Sequence, residues 1–181
     1  MKRVSVVGSS GSGKTTIARQ LARVLDVPCV ELDALYWQPN WTPTDPAEFT
    51  RRVKHEVSRD AWVIDGNYQS ILGSLIWDRV DTVVWVNPSR ARSMWQVITR
   101  TFRRARVREE LWNGNRESWT GFFVWHGDES IIWWAWRHYP VIQRRYEAAM
   151  EAPRNAHLTF HRLRTSEDAS RFLTAVADQQ E

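Results

Sequence analysis

Short apolar runs alternate along this chain with longer stretches in which apolar positions recur every three or four residues. The short runs predict five strands, at residues 3–7, 28–32, 61–64, 82–86 and 157–161. The longer periodic stretches predict helices at residues 14–25, 46–59, 70–78, 89–108 and 166–177, and a tryptophan-rich helix over about 129–150. Pro140 falls inside that last helix and is expected to kink or break it.

Strands that alternate with helices in this way are typical of a parallel sheet with helices on both faces. Right-handed connections between successive strands then give a doubly wound α/β fold with a five-stranded sheet. Residues 34–46 contain three prolines and are predicted not to form regular helix. Ligands of such folds bind at the carboxyl ends of the strands. Gly8, Asp33 and Asp65 all fall there, so we expect them to converge on one crevice.

The composition indicates one globular domain. Of the 181 residues, 43% are hydrophobic and 25% are charged, which argues against a disordered chain. The longest strongly apolar stretch, residues 131–136, is far too short to span a bilayer, and no secretory signal is recognisable. A single cysteine, Cys29, excludes an internal disulfide framework. We therefore expect a cytoplasmic protein with no membrane contact.

Positive charge and tryptophan are both unusually abundant. The formal net charge is +4, and 12 residues are tryptophan. Lysine contributes only three of the 25 basic residues, so the other 22 are arginine. Excess positive charge favours polyanionic partners, either nucleic acid or the phosphates of a nucleotide, and does not choose between them. Exposed tryptophans would be consistent with a homodimer.

One motif carries a specific chemistry. Residues 8–15, GSSGSGKT, match the pattern G-x-x-x-x-G-K-[ST] in full, with a predicted strand before them and a helix after them. Glycines let backbone N–H groups turn inward around phosphates, and the helix N-terminus adds its positive dipole. Lys14 is predicted to reach the β- and γ-phosphates of a nucleotide, and the Thr15 hydroxyl to ligate Mg²⁺. The predicted nucleotide-binding residues are Gly8, Ser9, Ser10, Gly11, Ser12, Gly13, Lys14 and Thr15.

Two of the predicted strands end in an aspartate. Asp65 follows a hydrophobic run and is expected to hold the Mg²⁺ directly or through water, or to orient the attacking hydroxyl group. Asp33 ends the strand before it in the chain. Of two carboxylates near a phosphoryl group, one can bind the metal ion and the other can orient the nucleophile. The alternative for each aspartate is a structural role as a helix cap or turn residue.

A basic helix follows the fourth predicted strand. Residues 88–108 contain seven arginines and no acidic residue. Arg100, Arg104 and Arg108 recur at four-residue spacing, which puts them on one helix face. Arginines in this arrangement either stabilise the charge on a transferring phosphoryl group or form a solvated basic face. The buried stripe of the same helix is predicted to contain Met94, Ile98, Thr101, Phe102 and Ala105.

The sequence resembles a known family at these motifs. The phosphate loop, the strand end Val63-Ile64-Asp65-Gly66 and the step from Arg100 to Arg104 are similar to adenylate kinase and related nucleoside-monophosphate kinases. The runs LDALYWQPNW at 32–41 and WVIDGNY at 62–68 look closer still to the adenylate-kinase-like DNA topology modulation proteins, the FlaR-related group. The resemblance implies a five-stranded P-loop fold with a helical lid insert and bound ATP and Mg²⁺. It also implies that Gly8 to Thr16 hold the ATP phosphates and that Arg100 and Arg104 approach the base or phosphates of ATP.

The acceptor half departs from adenylate kinases. There, Phe-Pro-Arg follows the Asp-Gly of the third strand, whereas Asn-Tyr-Gln stands at 67–69 in this chain. The Thr-Gly-Asp-x-x-Arg pattern after the second strand is replaced by DALYW at 33–37. Asp33 resembles instead the acceptor-binding aspartate of shikimate and gluconate kinases. Trp37 and Trp41, which follow it, could stack on a planar substrate or pin the loop to the body of the protein.

Together these features predict an ATP-dependent phosphotransferase that moves the γ-phosphoryl group of ATP to a small acceptor, expected to be a nucleotide, a nucleoside or another planar anion. We expect one P-loop domain over residues 1–181, with an acceptor-side insert at about 34–60 and a lid region at about 104–138. Thr15 and Asp65 would hold Mg²⁺. The predicted catalytic residues are Lys14, Asp33, Asp65, Arg100 and Arg104. Two alternatives stay open: an ATP-binding regulator that contacts nucleic acid, and a slow ATPase whose acceptor is water.

Overall fold

The computed structural model describes residues 1–107, 109–116 and 130–180. The strands of the main sheet are β1 (Arg3–Gly8), β2 (Cys29–Glu31), β3 (Trp62–Asp65), β4 (Thr82–Val86) and β5 (Thr159–Leu163). The helices are α1 (Lys14–Leu25), α2 (Leu32–Tyr36), α3 (Pro46–Val57), α4 (Gln69–Leu72), α5 (Arg90–Val107), α6 (Ile131–Glu151) and α7 (Ser166–Asp178). A small hairpin pairs Trp37–Gln38 with Thr42–Pro43. None of the helices in these ranges is long and apolar enough to cross a membrane.

The five strands of the main sheet are all parallel and lie in the order β2-β3-β1-β4-β5. Helices cover both faces of the sheet, which confirms the predicted doubly wound α/β fold. Because β2 and β3 lie on one side of β1 and β4 and β5 on the other, the strand order reverses at the carboxyl end of β1. Open α/β sheets bind ligands in the crevice at such a switch point. Gly8 begins the phosphate loop at that place.

The strands are apolar along their length because both faces of the sheet are buried. On one face, Val4 and Val6 of β1 pack with α1 and α7 in a cluster that includes Leu21 and Phe172. The other face packs against α3 and α6, and its largest fully buried side chains are Phe49, Trp62, Trp85 and Tyr146. Trp62 and Trp85 therefore belong to the hydrophobic core, and the partly buried Trp77 packs against it.

Three local predictions are wrong. Helix α2 extends into the 34–46 stretch that was predicted to lack helix, because the first proline of that stretch comes only after the helix ends. The helix predicted at 70–78 is only four residues long, since Gly73 follows it with a positive φ of 55°. Strand β5 lies two residues later than the predicted 157–161, because a 3₁₀ turn at Pro153–Asn155 and a further turn precede it.

Helix α6 continues through Pro140, so of the expected kink or break the break does not occur. Proline has no N–H group, so it leaves the carbonyl four residues earlier, that of Trp136, without its helical donor. Nη2 of Arg90 donates to that carbonyl at 2.9 Å. The same guanidinium lies 3.4 Å from the centroid of the Trp136 ring. The start of α5 therefore replaces the hydrogen bond that Pro140 removes from α6.

The buried face of α5 differs from the predicted stripe. Ile98 and Phe102, which the pattern assigns to that stripe, are 38% and 49% exposed. The residues that are buried are Ser93, Met94, Val97, Thr101 and Ala105. The helix is turned toward Ser93 and Val97 because both contact Gly11 of the phosphate loop. This rotation brings α5 directly against the candidate site.

Candidate functional site

Glycines allow the phosphate loop to lie against its neighbours. Gly8 and Gly11 have φ angles of +153° and +72°. A Cβ atom on Gly8 would lie 2.3 Å from the carbonyl oxygen of Val86, and one on Gly11 would lie 2.4 Å from that of Ser93. Only glycine fits at such contacts, so the loop is packed between β4 and α5. Its end forms the start of α1, whose first N–H groups are suited to bind an anion.

A buried carboxylate lies beside this loop. The Thr15 hydroxyl donates to Oδ2 of Asp65 at 2.5 Å. Asp65 is only 5% exposed, and its Oδ1 is buried with no hydrogen-bond partner among the residues that the structure describes. A buried polar atom without a partner is costly. A hydroxyl and a carboxylate are the oxygen donors that Mg²⁺ prefers, so the pair fits that ion.

The electrostatics of Asp65 also favour a bound cation. Burial raises the pKa of its carboxyl group above the ordinary value. The positive charge of Lys14 and the hydrogen bond from Thr15 act in the opposite direction, while the charges of Asp33 and Glu31 add to the increase. A divalent cation at this carboxylate would offset both the burial and the neighbouring negative charges.

Asp33 lies at the same edge of the sheet as Asp65. The parallel register pairs Glu31, the last residue of β2, with Asp65 at the end of β3. Asp33 follows in the first turn of α2, and its Oδ1 accepts a hydrogen bond from the Tyr68 hydroxyl at 2.6 Å. Burial and the charge of Asp33 raise the pKa of Tyr68, so the hydroxyl stays protonated and remains a donor. The structure thus brings together the two aspartates and the phosphate loop, as the sequence predicts.

Asn67 is a site residue to which the sequence analysis gave no role. Its Nδ2 donates to the Gly8 carbonyl at 2.5 Å, and its Oδ1 accepts from the Gly8 N–H at 3.2 Å. The hydroxyl of Tyr146, a fully buried residue of α6, also donates to that Oδ1 at 2.9 Å. The side-chain amide therefore holds both backbone groups of the first residue of the phosphate loop. In the sequence, the feature that could have identified Asn67 as a site residue is its position two residues after Asp65.

The arginines of α5 occupy different places. Nη2 of Arg100 lies 3.4 Å from the Ser10 hydroxyl, so this side chain is at the phosphate loop. Arg104 is largely buried and lies 3.8 Å from Glu109, at the start of the segment that follows α5. Arg108, the third member of the predicted face, lies outside the described residues. The structure therefore brings Arg100 to the loop and places Arg104 one turn further along.

Residues 109–116, which are the described part of the segment between α5 and α6, are docked onto the hairpin that follows α2. Nδ2 of Asn113 donates to the carbonyls of Ala34 and Trp37 at 3.1 and 2.6 Å. Asn115 accepts from the Trp41 N–H at 2.7 Å and donates to the Gln38 carbonyl at 2.9 Å. Two asparagine side chains thus bridge segments that are more than 70 residues apart in the sequence.

A tryptophan extends the same contact to the edge of the sheet. Nε1 of Trp112 donates to Oε2 of Glu31 at 2.9 Å. Arg19 of α1 binds the other oxygen of Glu31 at 2.6 Å. Nε1 of Trp41 donates to the carbonyl of Arg116 at 3.2 Å. Trp112 therefore fastens residues 109–116 to the edge of the sheet, and Trp41 fastens the hairpin to the same residues.

A groove of about 290 Å³ adjoins the other side of the phosphate loop. Gly13 and Thr16 form its wall on the loop side, Arg92 and Gln96 of α5 form another, and Thr165 at the start of α7 closes it. The candidate site therefore has two sides: this groove, and the carboxylate side with Asp33 and residues 109–116 docked beside it.

Comparison with known proteins identifies relatives by structure only. No protein-family model and no curated protein sequence matches the chain. A shikimate kinase from Acinetobacter baumannii in complex with shikimate is 15% identical, with a TM-score of 0.56 over 99% of this chain and 94% of that one. A shikimate kinase from Bacteroides thetaiotaomicron is also 15% identical, with a TM-score of 0.54 over 99% and 98%. The deoxyadenosine kinase from M. mycoides is 10% identical, with a TM-score of 0.52 over 98% and 97%.

These likenesses extend over almost the whole length of the chains compared. At 10–15% identity they establish the architecture. The chain has the fold of the P-loop small-molecule kinases.

Proposed function

We propose that this protein is an ATP-dependent phosphotransferase of the small-molecule kinase type. One observation carries the proposal. A complete phosphate loop is joined through Thr15 to a buried carboxylate, Asp65, whose second oxygen has no partner within the described ranges. A loop of this kind binds the phosphates of a nucleotide, and the carboxylate beside it suits the metal ion that accompanies them.

The donor side of the proposed site would bind ATP. The backbone of residues 8–16 would hold the phosphates, and Lys14 would reach the β- and γ-phosphates. Arg100, which already contacts Ser10, would stabilise the charge that builds on the transferring group, with Arg104 supporting it from the next turn. The groove at Thr16 would take the base of the nucleotide.

Mg²⁺ is part of the proposal. Thr15 and Asp65 would hold it, directly or through water. When bound, the ion neutralises negative charge on the β- and γ-phosphates. The raised pKa of Asp65 and its unpartnered Oδ1 both support a cation at this position.

Asp33 would receive or orient the acceptor hydroxyl. Its Oδ1 is held by Tyr68, which fixes the direction of the carboxylate. In the transfer, the bond between the γ-phosphorus and the oxygen that bridges it to the β-phosphate breaks, and a bond forms from the acceptor oxygen to the γ-phosphorus. ADP leaves with the bridging oxygen, and the hydroxyl proton passes to the Asp33 carboxylate and from there to solvent. ATP⁴⁻ and ROH thus give ADP³⁻, ROPO₃²⁻ and H⁺.

The same proposal includes the organisation of the chain. We infer one P-loop domain over residues 1–181, with an acceptor-side insert at about 34–60 and a lid region at about 104–138. The docking of Asn113 and Asn115 onto the hairpin supports a lid that works with the acceptor side. Membership of the DNA topology modulation group belongs to this proposal as well, on the sequence resemblance alone.

The test is ADP release from Mg–ATP in the presence of a panel of acceptors and of water alone. We expect at least one acceptor to stimulate release, and Lys14→Ala to abolish the stimulation because it removes the phosphate contact. Lys54→Ala, at an exposed position of α3, is the matched control and should behave as wild type. ATP binding without stimulation by any acceptor would favour the ATP-binding regulator instead. Equal release with water alone would favour the slow ATPase.

A further inference from the structure

The carboxylate side of the site is acidic. Glu31, Asp33 and Asp65 lie at the adjacent ends of β2 and β3, where Glu31 and Asp65 are paired in the parallel register. The charges of Asp33 and Glu31 both contribute to the raised pKa of Asp65, so the three groups are near enough to interact. An ionised carboxylate only accepts hydrogen bonds. Both oxygens of Glu31 are already bound, one by Arg19 and the other by Trp112, so Asp33 is the carboxylate of this cluster that suits a hydroxyl group of a ligand and disfavours an anion.

A group of aromatic rings begins at Asp33. Tyr68 donates to Asp33, and its ring centroid lies 4.8 Å from that of Tyr36. The ring of Trp37 lies 4.9 Å from Tyr36 in an edge-on arrangement. All three rings are partly exposed rather than fully buried. Ring faces beside carboxylates suit a ligand that has hydroxyl groups at its edge and an apolar face.

Two arginines near this side are engaged by the protein itself. Arg19 binds Glu31 at 2.6 Å and so offsets one of the three negative charges. Nε of Arg52 on α3 donates to Glu48 at 2.7 Å, while its Nη1 lies 3.5 Å from the Leu35 carbonyl. The charge of Lys14 acts on Asp65, which leaves Asp33 as the carboxylate of the three with neither an ion pair nor a lysine beside it among the residues that the structure describes.

Two arginines further along the chain are also engaged by the protein. Arg116 pairs with Glu110 at 3.2 Å. Arg100 contacts Ser10 in the phosphate loop, on the donor side. A phosphate monoester would bring roughly two further negative charges to the acidic side.

We propose, on the basis of the phosphotransferase function proposed above, that the acceptor is an uncharged polyhydroxy molecule, a sugar or a nucleoside, rather than a phosphate monoester. The reacting hydroxyl would donate to Asp33, and the rings of Tyr36, Trp37 and Tyr68 would contact the apolar face of the acceptor. Of the acceptors expected from the sequence, this assignment keeps the nucleoside and sets aside the nucleotide and other planar anions, because Asp33 lies on the acceptor side while Arg100 lies at the phosphate loop.

The experiment compares acceptors in matched pairs that differ by a charged group. Mg–ATP is supplied with adenosine or AMP, cytidine or CMP, ribose or ribose 5-phosphate, and glucose or gluconate, and ADP release is measured. We expect kcat/KM for the uncharged member of a productive pair to exceed that of the charged member by about tenfold or more. The nucleoside and sugar arms show which kind of polyol is accepted.

Each outcome bears on a different claim. Equal or better use of the charged members would overturn this inference and leave the phosphotransferase proposal standing. Stimulation by neither member of any pair would count against both. In the productive pair, Asp33→Asn should lower kcat on the order of 100-fold while the KM for ATP stays close to the wild-type value. Asp60→Asn, at an exposed position before β3, is the matched control.

Discussion

We expect the carboxyl group of Asp65 to make the free energy of unfolding depend on pH. Burial raises the pKa of its carboxyl group above the ordinary value of 3.8. The folded protein then holds this proton more tightly than the unfolded chain does. The contribution of Asp65 to the free energy of unfolding is therefore greatest below pH 3.8 and falls as the pH rises from 3.8 through the folded-state pKa. At neutral pH without metal, the charged residue destabilises the fold.

Asp65→Asn should consequently raise the melting temperature of the metal-free protein, by roughly 2–4 °C for each kcal/mol gained. It should also lose most of the stabilisation that Mg²⁺ with ATP gives the wild type, and ADP formation should fall about 10- to 100-fold. Differential scanning fluorimetry with and without Mg–ATP measures the first two effects. A variant that melts below the wild type without metal, yet responds normally to Mg–ATP, would contradict the metal role.

Asn67 offers a test of how the phosphate loop is held. Asn67→Ala removes both hydrogen bonds to Gly8, so we expect the KM for ATP to rise on the order of tenfold while the KM for the acceptor stays unchanged. Asn67→Asp should do no better than alanine, because its carboxylate accepts from the Gly8 N–H but cannot donate to the Gly8 carbonyl. Steady-state titrations of ATP and acceptor separate the two constants. Similar increases in both would indicate general unfolding of the site.

The partner of Asn67 provides a graded control. Tyr146→Phe removes only the hydroxyl that donates to Oδ1, and leaves the ring in the core. We expect it to cost about 1 kcal/mol of unfolding free energy and to change the KM for ATP less than Asn67→Ala does. An equal effect of the two substitutions on that KM would place the determinant in α6 rather than in the amide.

At the scale of the elements, the contact between α5 and α6 is open to a double-mutant cycle. Arg90→Ala removes the donor to the Trp136 carbonyl and the cation over its ring, and should cost about 1–2 kcal/mol. In a Pro140→Ala background the new N–H can donate to the same carbonyl, so Arg90→Ala should cost less there. We expect a coupling energy on the order of 0.5 kcal/mol or more by urea denaturation.

The costs of Arg90→Ala in the two backgrounds decide whether the arginine replaces the missing helical hydrogen bond. Equal costs would mean that it does not. Arg144→Ala, at an exposed position of α6, should show no coupling to Pro140 and serves as the control.

The elements that the sequence predicted correctly are those whose signals are local. The bounds of α1 and β4 agree with the structure because an amphipathic repeat and a short β-branched run fix them. The continuity of α6 was missed because the compensating donor, Arg90, lies in another helix. The rotation of α5 was missed for a similar reason: the contact with Gly11 decides which face is buried, and periodicity alone could not place it.

At the scale of the whole molecule, the donor half of the candidate site was predictable and most of the acceptor half was not. Lys14 and Thr15 belong to a contiguous motif, and Asp65 follows directly after a strand. The sequence therefore predicts that all three lie at one edge of the sheet. The Asn67–Tyr146 contact joins residues 79 apart, and the lid contacts join residues 74 to 81 apart. Such contacts cannot be predicted from a single sequence, because nothing in the sequence marks one partner as belonging to the other.

The last prediction concerns the contact between residues 109–116 and the hairpin. Oδ1 of Asn115 accepts from the backbone N–H of Trp41, so the exchange rate of that amide reports directly on docking. Asn115→Ala should speed its exchange about fivefold or more, as expected for loss of about 1 kcal/mol, and raise the KM for the acceptor more than that for ATP. Gln180→Ala, at an exposed position after α7, should leave both unchanged. If Trp41 exchanges at the wild-type rate in Asn115→Ala, residues 109–116 are not held to the hairpin by this bond, and the prediction is wrong.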